Sequence, residues 1–314
     1  MDRNTKNPVF WILIILFFLN IFAWLVVFDL NKTQFLEVNF FDVGQGDAIF
    51  IETPKSHQIL IDGGPGPAIL EKLGKEMLFW DRTIDLVILT HPEHDHIAGL
   101  IEVLKRYRVE NILWTGVKRD TSEYQEWVRL IEKEQAKIFI ARAGQKICMR
   151  TAQPSPEFTP HRTRSGAGAR GMRMRLCELY FDILYPFENL EGQEVKNSNN
   201  TSVIAKLVFD ENSFLFTGDA YKSVERKLVD REVYLQSDVL KVGHHGSKTS
   251  TAEEFLEEVV PEAVVVSVGK ENRYGHPHPE VLEVLAKYDI RVLRTDEQSD
   301  IKIISDGNNL KIEI

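Results

Sequence analysis

The run Thr90-His91-Pro92-Glu93-His94-Asp95-His96 places five residues able to bind a metal within seven positions. It follows the apolar, β-branched segment Ile84–Leu89 and precedes a helical period over Ile97–Tyr107. A strand that ends in a short loop before a helix leaves its last side chains at a sheet edge, where sites form. Unpaired buried acids are costly, so acids crowded together with histidines call for a cation. Imidazole and carboxylate together suit zinc, manganese or iron, whereas calcium takes all-oxygen shells.

Two further strand ends carry the same chemistry. Phe216-Thr217-Gly218-Asp219 closes an apolar run on a carboxylate, and Lys241-Val242-Gly243-His244-His245-Gly246-Ser247 closes another on two imidazoles. Seven of the nine histidines fall in the groups 91/94/96, 244/245 and 276/278. Three such ends converging at one edge predict a metal centre. A divalent metal brings the pKa of bound water from 15.7 toward about 7. Two ions roughly 3.5–4 Å apart would hold both the attacking and the leaving oxygen of a phosphoryl displacement. Asp219 is the natural bridge, because a carboxylate can bind two ions.

The rest of the chain bounds this reading. Its 314 residues are 27% charged and 43% hydrophobic with a net charge of −9, which excludes a disordered chain and a uniformly basic nucleic-acid coat. Two cysteines, Cys148 and Cys177, exclude a disulfide scaffold or a Cys-rich zinc module. Their thiols read as buried and apolar, with a disulfide across the intervening loop as the alternative. Short apolar runs, such as 35–41, 58–61, 203–209 and 263–268, alternate with helical periods, such as 123–134 and 279–288, in two successive halves. An α/β fold of stacked mixed sheets with helices outside follows, as one domain over 33–314.

Two segments stand apart. Val9–Phe28 is apolar but for Asn20 and predicts a transmembrane anchor over 9–28. Arg3 and Lys6 make the N-terminal flank the more positive, so 1–8 reads as a cytoplasmic tail and the rest as extracytoplasmic. A cleaved signal peptide would have a shorter core and a small-residue cleavage site. Residues 150–175 hold six Arg against one acid, Glu157, and few core-forming residues, which predicts an Arg-rich loop insertion between strands. The Gly166-Ala-Gly168-Ala-Arg-Gly171 inside it lacks the strand before and helix after that a dinucleotide site needs. Neither a P-loop nor a Gly-x-Ser-x-Gly nucleophile turn occurs.

These motifs resemble the metallo-β-lactamase superfamily: His91-x-Glu93-x-Asp95-His96 its H-x-H-x-D-H signature, Ile61-Asp62-Gly63-Gly64 its first motif, and Thr217-Gly218-Asp219 its bridging acid. More narrowly, Asp42-Val43-Gly44-Gln45-Gly46-Asp47, Leu240–Ser247 and Tyr274-Gly275-His276-Pro277-His278-Pro279 are similar to the C-terminal hydrolase domain of the ComEC competence DNA-uptake channels. The resemblance covers roughly 35–314. It implies a four-layered αβ/βα sandwich holding two divalent ions, zinc or manganese. His91 and Glu93 would hold one; Asp95, His96 and one of His244 and His245 the other, with Asp219 bridging. His244 is favoured as the ligand because it follows its strand more directly, leaving His245 a catalytic or substrate role. Asp62 would orient a ligand, and Asn200 stands near where the superfamily has another His.

A DNA nuclease or phosphodiesterase is the expected activity. Asp95, His245, His276 and His278 are its candidate catalytic residues, His276 or His278 contacting the scissile phosphate or protonating the leaving oxygen. Ser247, Lys248, Arg162, Arg164 and Arg170 are candidate phosphate contacts. One spanning segment cannot form the channel, so DNA uptake would need a separate channel protein as partner. The alternatives are a phosphodiester of an envelope polymer as substrate, and a non-catalytic DNA-binding role beside such a channel.

Overall fold

The computed structural model describes residues 8–30, 35–54, 56–149, 157–160 and 177–314. Its first half runs α1 (Pro8–Leu30), β1 (Leu36–Phe40), β2 (Ile49–Glu52), β3 (Gln58–Ile61), α2 (Ala68–Glu76), β4 (Thr83–Ile88), α3 (His94–Leu104), β5 (Arg108–Trp114), α4 (Ser122–Glu134) and β6 (Lys137–Ile140). Its second half runs β7 (Gln145–Cys148), β8 (Glu157–Pro160), β9 (Leu179–Tyr185), β10 (Ile204–Phe209), β11 (Asn212–Phe216), α5 (Lys222–Asp230), β12 (Val239–Lys241), α6 (Glu253–Val259), β13 (Ala263–Val266), α7 (Pro279–Lys287), β14 (Arg291–Arg294) and α8 (Thr295–Gln298). The chain ends on β15 (Ile301–Ser305) and β16 (Leu310–Glu313).

Two eight-stranded sheets result, ordered β16-β15-β1-β2-β3-β4-β5-β6 and β14-β13-β12-β11-β10-β9-β7-β8. The last two strands cross back, β15 pairing antiparallel to β1, so the second half closes on the first. Interior strands of each sheet are buried on both faces, as in β3 and β13. That is why they read as continuous apolar runs rather than alternating ones. One core lies between the sheets, with Phe40, Phe181, Phe214 and Phe216 at its centre. A second fills the space between the first sheet and α2–α4, and a third that between the second sheet and α5–α7. The order is therefore helix, sheet, sheet, helix.

Strand direction positions the site. β3, β4, β5 and β6 are mutually parallel, as are β11, β12, β13 and β14. The carboxyl ends of β3 and β4 thus share one edge with each other, and those of β11, β12 and β13 likewise. The histidine and acid motifs all follow those ends.

Two expectations change. β8 pairs with β7 inside the segment read as a pure loop; Arg162, Arg164 and Arg170 lie outside the described residues. Among the described residues no helix is long and apolar enough to cross a membrane. The transmembrane anchor expected over 9–28 is therefore not borne out as a spanning helix. From Pro8 to Trp24 those side chains are exposed on every side of the helix, Ile14 partly so.

Candidate metal centre

The first half of the site is built by a close approach of α3 to the turn after β3. A Cβ on Gly99 would sit 1.8 Å from the Gly63 carbonyl oxygen, so only glycine admits this contact. Gly63 N donates to His96 O (2.9 Å) and Gly99 N to Gly64 O (2.9 Å), locking helix to turn. His96 is thereby held against Asp62, both fully buried.

Asp62 sets the orientation of two imidazoles. His96 Nδ1 donates to Asp62 Oδ2 (2.8 Å). Thr90 donates twice to the same carboxylate, from its N (2.8 Å) and its Oγ1 (2.6 Å). With that hydroxyl proton committed, Thr90 Oγ1 accepts from His91 Nδ1 (3.0 Å). On the other side His245 Nδ1 donates to Ser267 O (2.8 Å). Each ring therefore spends its Nδ1–H on an outer partner and turns Nε2 inward, the arrangement that fixes a ligating tautomer.

Asp219 lies where those three rings meet. Its Oδ2 is 3.4 Å from His96 Nε2, 3.4 Å from His245 Nε2 and 3.9 Å from His91 Nε2. Asp95 Oδ2 is 3.3 Å from His245 Nε2. Ligand atoms of Asp95, His96, Asp219 and His245 all lie within 4.8 Å of one another. The other oxygen of Asp219 faces a buried ammonium, Lys241 Nζ, at 3.9 Å. Lys241 also forms a close ion pair with Asp47 and donates to Gly218 O (3.2 Å).

The electrostatics follow from this crowding. Burial pushes the Asp219 carboxyl up, but His245 and His96 outweigh it and hold it well below the usual range. Burial pushes His96 and His245 down, but Asp219 and the neighbouring carboxylates outweigh it and raise both well above an ordinary imidazole. Burial and the His96 charge drive His91 down to about 3. Burial raises Asp62 despite His96.

Does a cation fit? His91 Nε2, His96 Nε2 and Asp219 Oδ1 are buried and make no hydrogen bond. Three converging Nε2 atoms and two carboxylates are a borderline donor set, suited to zinc or manganese. The fold implies divalent metal binding, and the residues present fit it.

The structure brings together a set of side chains that differs in part from the expected one. His245, not His244, joins Asp95, His96 and Asp219. Both residues take left-handed backbone (φ 47° and 54°), which reverses the chain after β12 and swings the second ring inward. His244 keeps an outer place: its Nδ1 bonds Thr249 Oγ1 (2.9 Å), its ring stacks on Tyr221, and its Nε2 is 3.9 Å from Asp219 Oδ2. Glu93 is turned aside, paired with Arg119 (2.8 Å) and closely bonded by Ser198 Oγ. Asn200 Oδ1 accepts from Ser223 Oγ (3.4 Å), while its neighbour Asn199 lines the cavity.

That cavity, about 170 Å³, is lined by Gln45, Glu93, Asp95, Asn199, Asp219, His244, His245, Tyr274 and His276. Burial and the facing His245 and His244 bring His276 down to about 4. His278 sits behind it at 4.8 Å between ring centroids, its Nδ1 accepting from Lys248 N (3.3 Å). Ser247 Oγ accepts from Thr249 and serves its own turn. Lys248 is exposed outside the cavity lining. Asp47, Lys241, Thr90 and Arg119 were not singled out from sequence. Asp47 and Lys241 did stand inside the quoted motifs, and an acid and a lysine within apolar strand ends was the available signal.

Residues 41–136 match the family model of the metallo-β-lactamase superfamily. The chain is 30% identical over 283 residues to ComE operon protein 3 of Bacillus subtilis, covering 85% of this chain and 32% of that protein. It is 28% identical to Recombination protein 2 of Haemophilus influenzae, covering 93% and 32%. Competence protein ComA of Neisseria gonorrhoeae is 40% identical over 113 residues, covering 35% and 16%. The chain thus spans about a third of the length of the first two relatives.

Proposed function

We propose that this chain, a metallo-β-lactamase-fold relative of the competence proteins, is a metal-dependent phosphodiesterase that cleaves DNA and is held at a membrane by its N-terminal helix. The observation that carries the reading is the convergence of Asp95, His96, Asp219 and His245 below an open cavity. Those four residues would hold one divalent ion. His91 and Asp219 offer donors for a second, with His244 at its margin. Bound metal would supply hydroxide at neutral pH and a positive charge for a phosphoryl oxygen.

The remaining groups act on substrate. His276, neutral at pH 7 because of its low pKa, faces the cavity as a hydrogen-bond partner for a phosphodiester. His278 fixes the turn behind it. Arg119 and Ser198 hold Glu93 at the rim. The exposed apolar surface of α1 supports membrane attachment, with a separate channel protein as partner if the domain serves DNA uptake.

The test uses the full chain in detergent with single- and double-stranded DNA, under zinc, manganese, magnesium and chelator. Release of nucleotides that is abolished by chelator and in Asp95→Ala and Asp219→Ala is the expected result. Phosphate or small organic phosphate released from envelope polymers, with DNA left intact, would move the substrate. Metal binding without turnover of any phosphodiester would leave only a binding role.

A further inference from the structure

The first sheet has a second edge, opposite the metal-ligating one. β1 is antiparallel to β2 and β2 to β3, so β1 runs parallel to β3, β4, β5 and β6. Their amino-terminal ends share this edge. The chain enters the domain there, at the exposed Phe35 directly before β1. The loop between α2 and β4 lies on the same edge and exposes Leu78, Phe79 and Trp80 at 46%, 80% and 60%. The two aromatic rings stack edge to face, centroids 4.6 Å apart. Three consecutive large apolar side chains turned outward mark an interaction surface rather than a scattered exposure.

Charge around them is arranged by depth. Arg82, Lys105, Arg106, Arg108 and Lys137 are exposed on this edge, and Arg108 N donates to Arg82 O (2.7 Å), which sets those two side by side. Most acids there are only partly exposed and engaged; the exposed Asp306 accepts from Asn308 N and Asn309 N of its own turn, and Glu132 is exposed in the last turn of α4. Asp81 accepts from Gln58 Nε2 and Thr83 N, Glu134 accepts from Val109 N, and Glu102 and Glu110 pair with Lys105 and Arg108. Glu37 and Glu76 share Lys302, and Glu52 stands beside them. The exposed side chains of the turns that flank the apolar loop, Arg82, Lys105, Arg106 and Arg108, are therefore basic, on a chain whose net charge is −9.

We propose that this edge rests on a lipid bilayer, with Leu78, Phe79 and Trp80 in the interfacial zone and the exposed arginines and lysines over anionic headgroups. The proposal rests on the reading that α1 holds the chain at a membrane, because the chain enters the domain from α1 at this edge. Tryptophan favours the headgroup level, where its ring is apolar and its N–H is wet. Basic side chains gain near an anionic surface and lose that gain within a Debye length. With β4 six residues long, the metal centre stands roughly 20 Å further from the lipid, facing outward.

Five tryptophans make the test direct: Trp11, Trp24, Trp80, Trp114 and Trp127. The full chain is placed in vesicles of phosphatidylcholine and phosphatidylglycerol, with lipids brominated high on the acyl chain as quencher. In Trp11→Phe/Trp24→Phe only Trp80 can meet lipid, since Trp114 and Trp127 are buried. Emission should fall by up to about one third, the share of one tryptophan among three. The loss should shrink without phosphatidylglycerol and in an added Arg106→Glu/Arg108→Glu pair. Trp80→Phe reports α1 separately through Trp11 and Trp24. Quenching there, with none in Trp11→Phe/Trp24→Phe, keeps the anchor and overturns the lipid contact of the edge. Quenching of Trp80 without that of α1 upholds the contact and removes the insertion. No quenching in either overturns both.

Discussion

Lys241→Met tests whether a buried cation holds the metal centre together. The lysine side chain has no exposed surface, and its partners Asp47 and Asp219 are 2% and 3% exposed. Methionine nearly matches its length and shape but leaves two buried carboxylates without their ammonium. Breaking a buried pair from one side typically costs about 3–5 kcal/mol. For a domain of this size each kcal/mol moves the midpoint by about 2–4 °C, so the variant should melt about 6–20 °C below the parent. The assay is thermal unfolding of the full chain in detergent, once with chelator and once with saturating zinc or manganese. Metal brings positive charge to Asp219 itself, so the deficit should be clearly smaller in the loaded protein. A variant within about 0.5 kcal/mol of the parent under chelator, or an equal deficit in both arms, would refute the charge argument.

Three further outcomes are expected. Asp62→Asn keeps the shape but loses the carboxylate that orients His96 and, through Thr90, His91, so metal affinity should fall about 10–100-fold by titration. His245→Ala should cost more metal affinity than Asp62→Asn, whereas His244→Ala should retain tight binding; the reverse ranking would return the ligand role to His244. Glu225 is buried and accepts from Thr251 N (2.8 Å) and Ala252 N (2.7 Å) at the start of α6. Burial pushes its carboxyl from 4.5 up to about 7, against the pull of those two N–H groups. A raised carboxyl pKa means that its contribution is intact below about pH 4.5 and is lost as pH rises through about 7. That span is worth about 3 kcal/mol. Glu225→Gln should flatten this part of the stability–pH curve, and parallel curves for parent and variant would rule the assignment out.

The sequence made the metal-bearing edge legible because its chemistry is local. Asp62, His91, Asp95, His96 and Asp219 each follow an apolar run within a few residues, and a strand end is where such groups must emerge. What escaped was set by conformation or by partners distant in the chain. Ranking His244 above His245 assumed that the residue nearer the strand points to the site. Two successive left-handed residues, each costing about 1–2 kcal/mol outside glycine, overturn that assumption. The resemblance implied a ligand role for Glu93, and its partners here were not legible because Arg119 is 26 positions away and Ser198 is 105. Strand β5 hid behind Glu110 and Asn111 in its middle, although Asn111 Nδ2 is satisfied by Asp85 O (2.8 Å).

Lys241 shows how these two kinds of information combine. A lysine between Leu240 and Val242 at the end of a buried strand is improbable unless something anionic waits for it. The sequence therefore announces the need for a partner without naming it. The fold supplies two, Asp47 after β1 and Asp219 after β11, from opposite sheets. The four carboxylates of Asp47, Asp62, Asp95 and Asp219 crowd one another, and the raised His96 and His245 offset only part of that charge. The fixed Lys241 ammonium faces Asp219 Oδ1, while Asp95, His96, His245 and Asp219 would hold a divalent ion that supplies further positive charge. The edge between the two sheets is thus organised to receive positive charge from both sides.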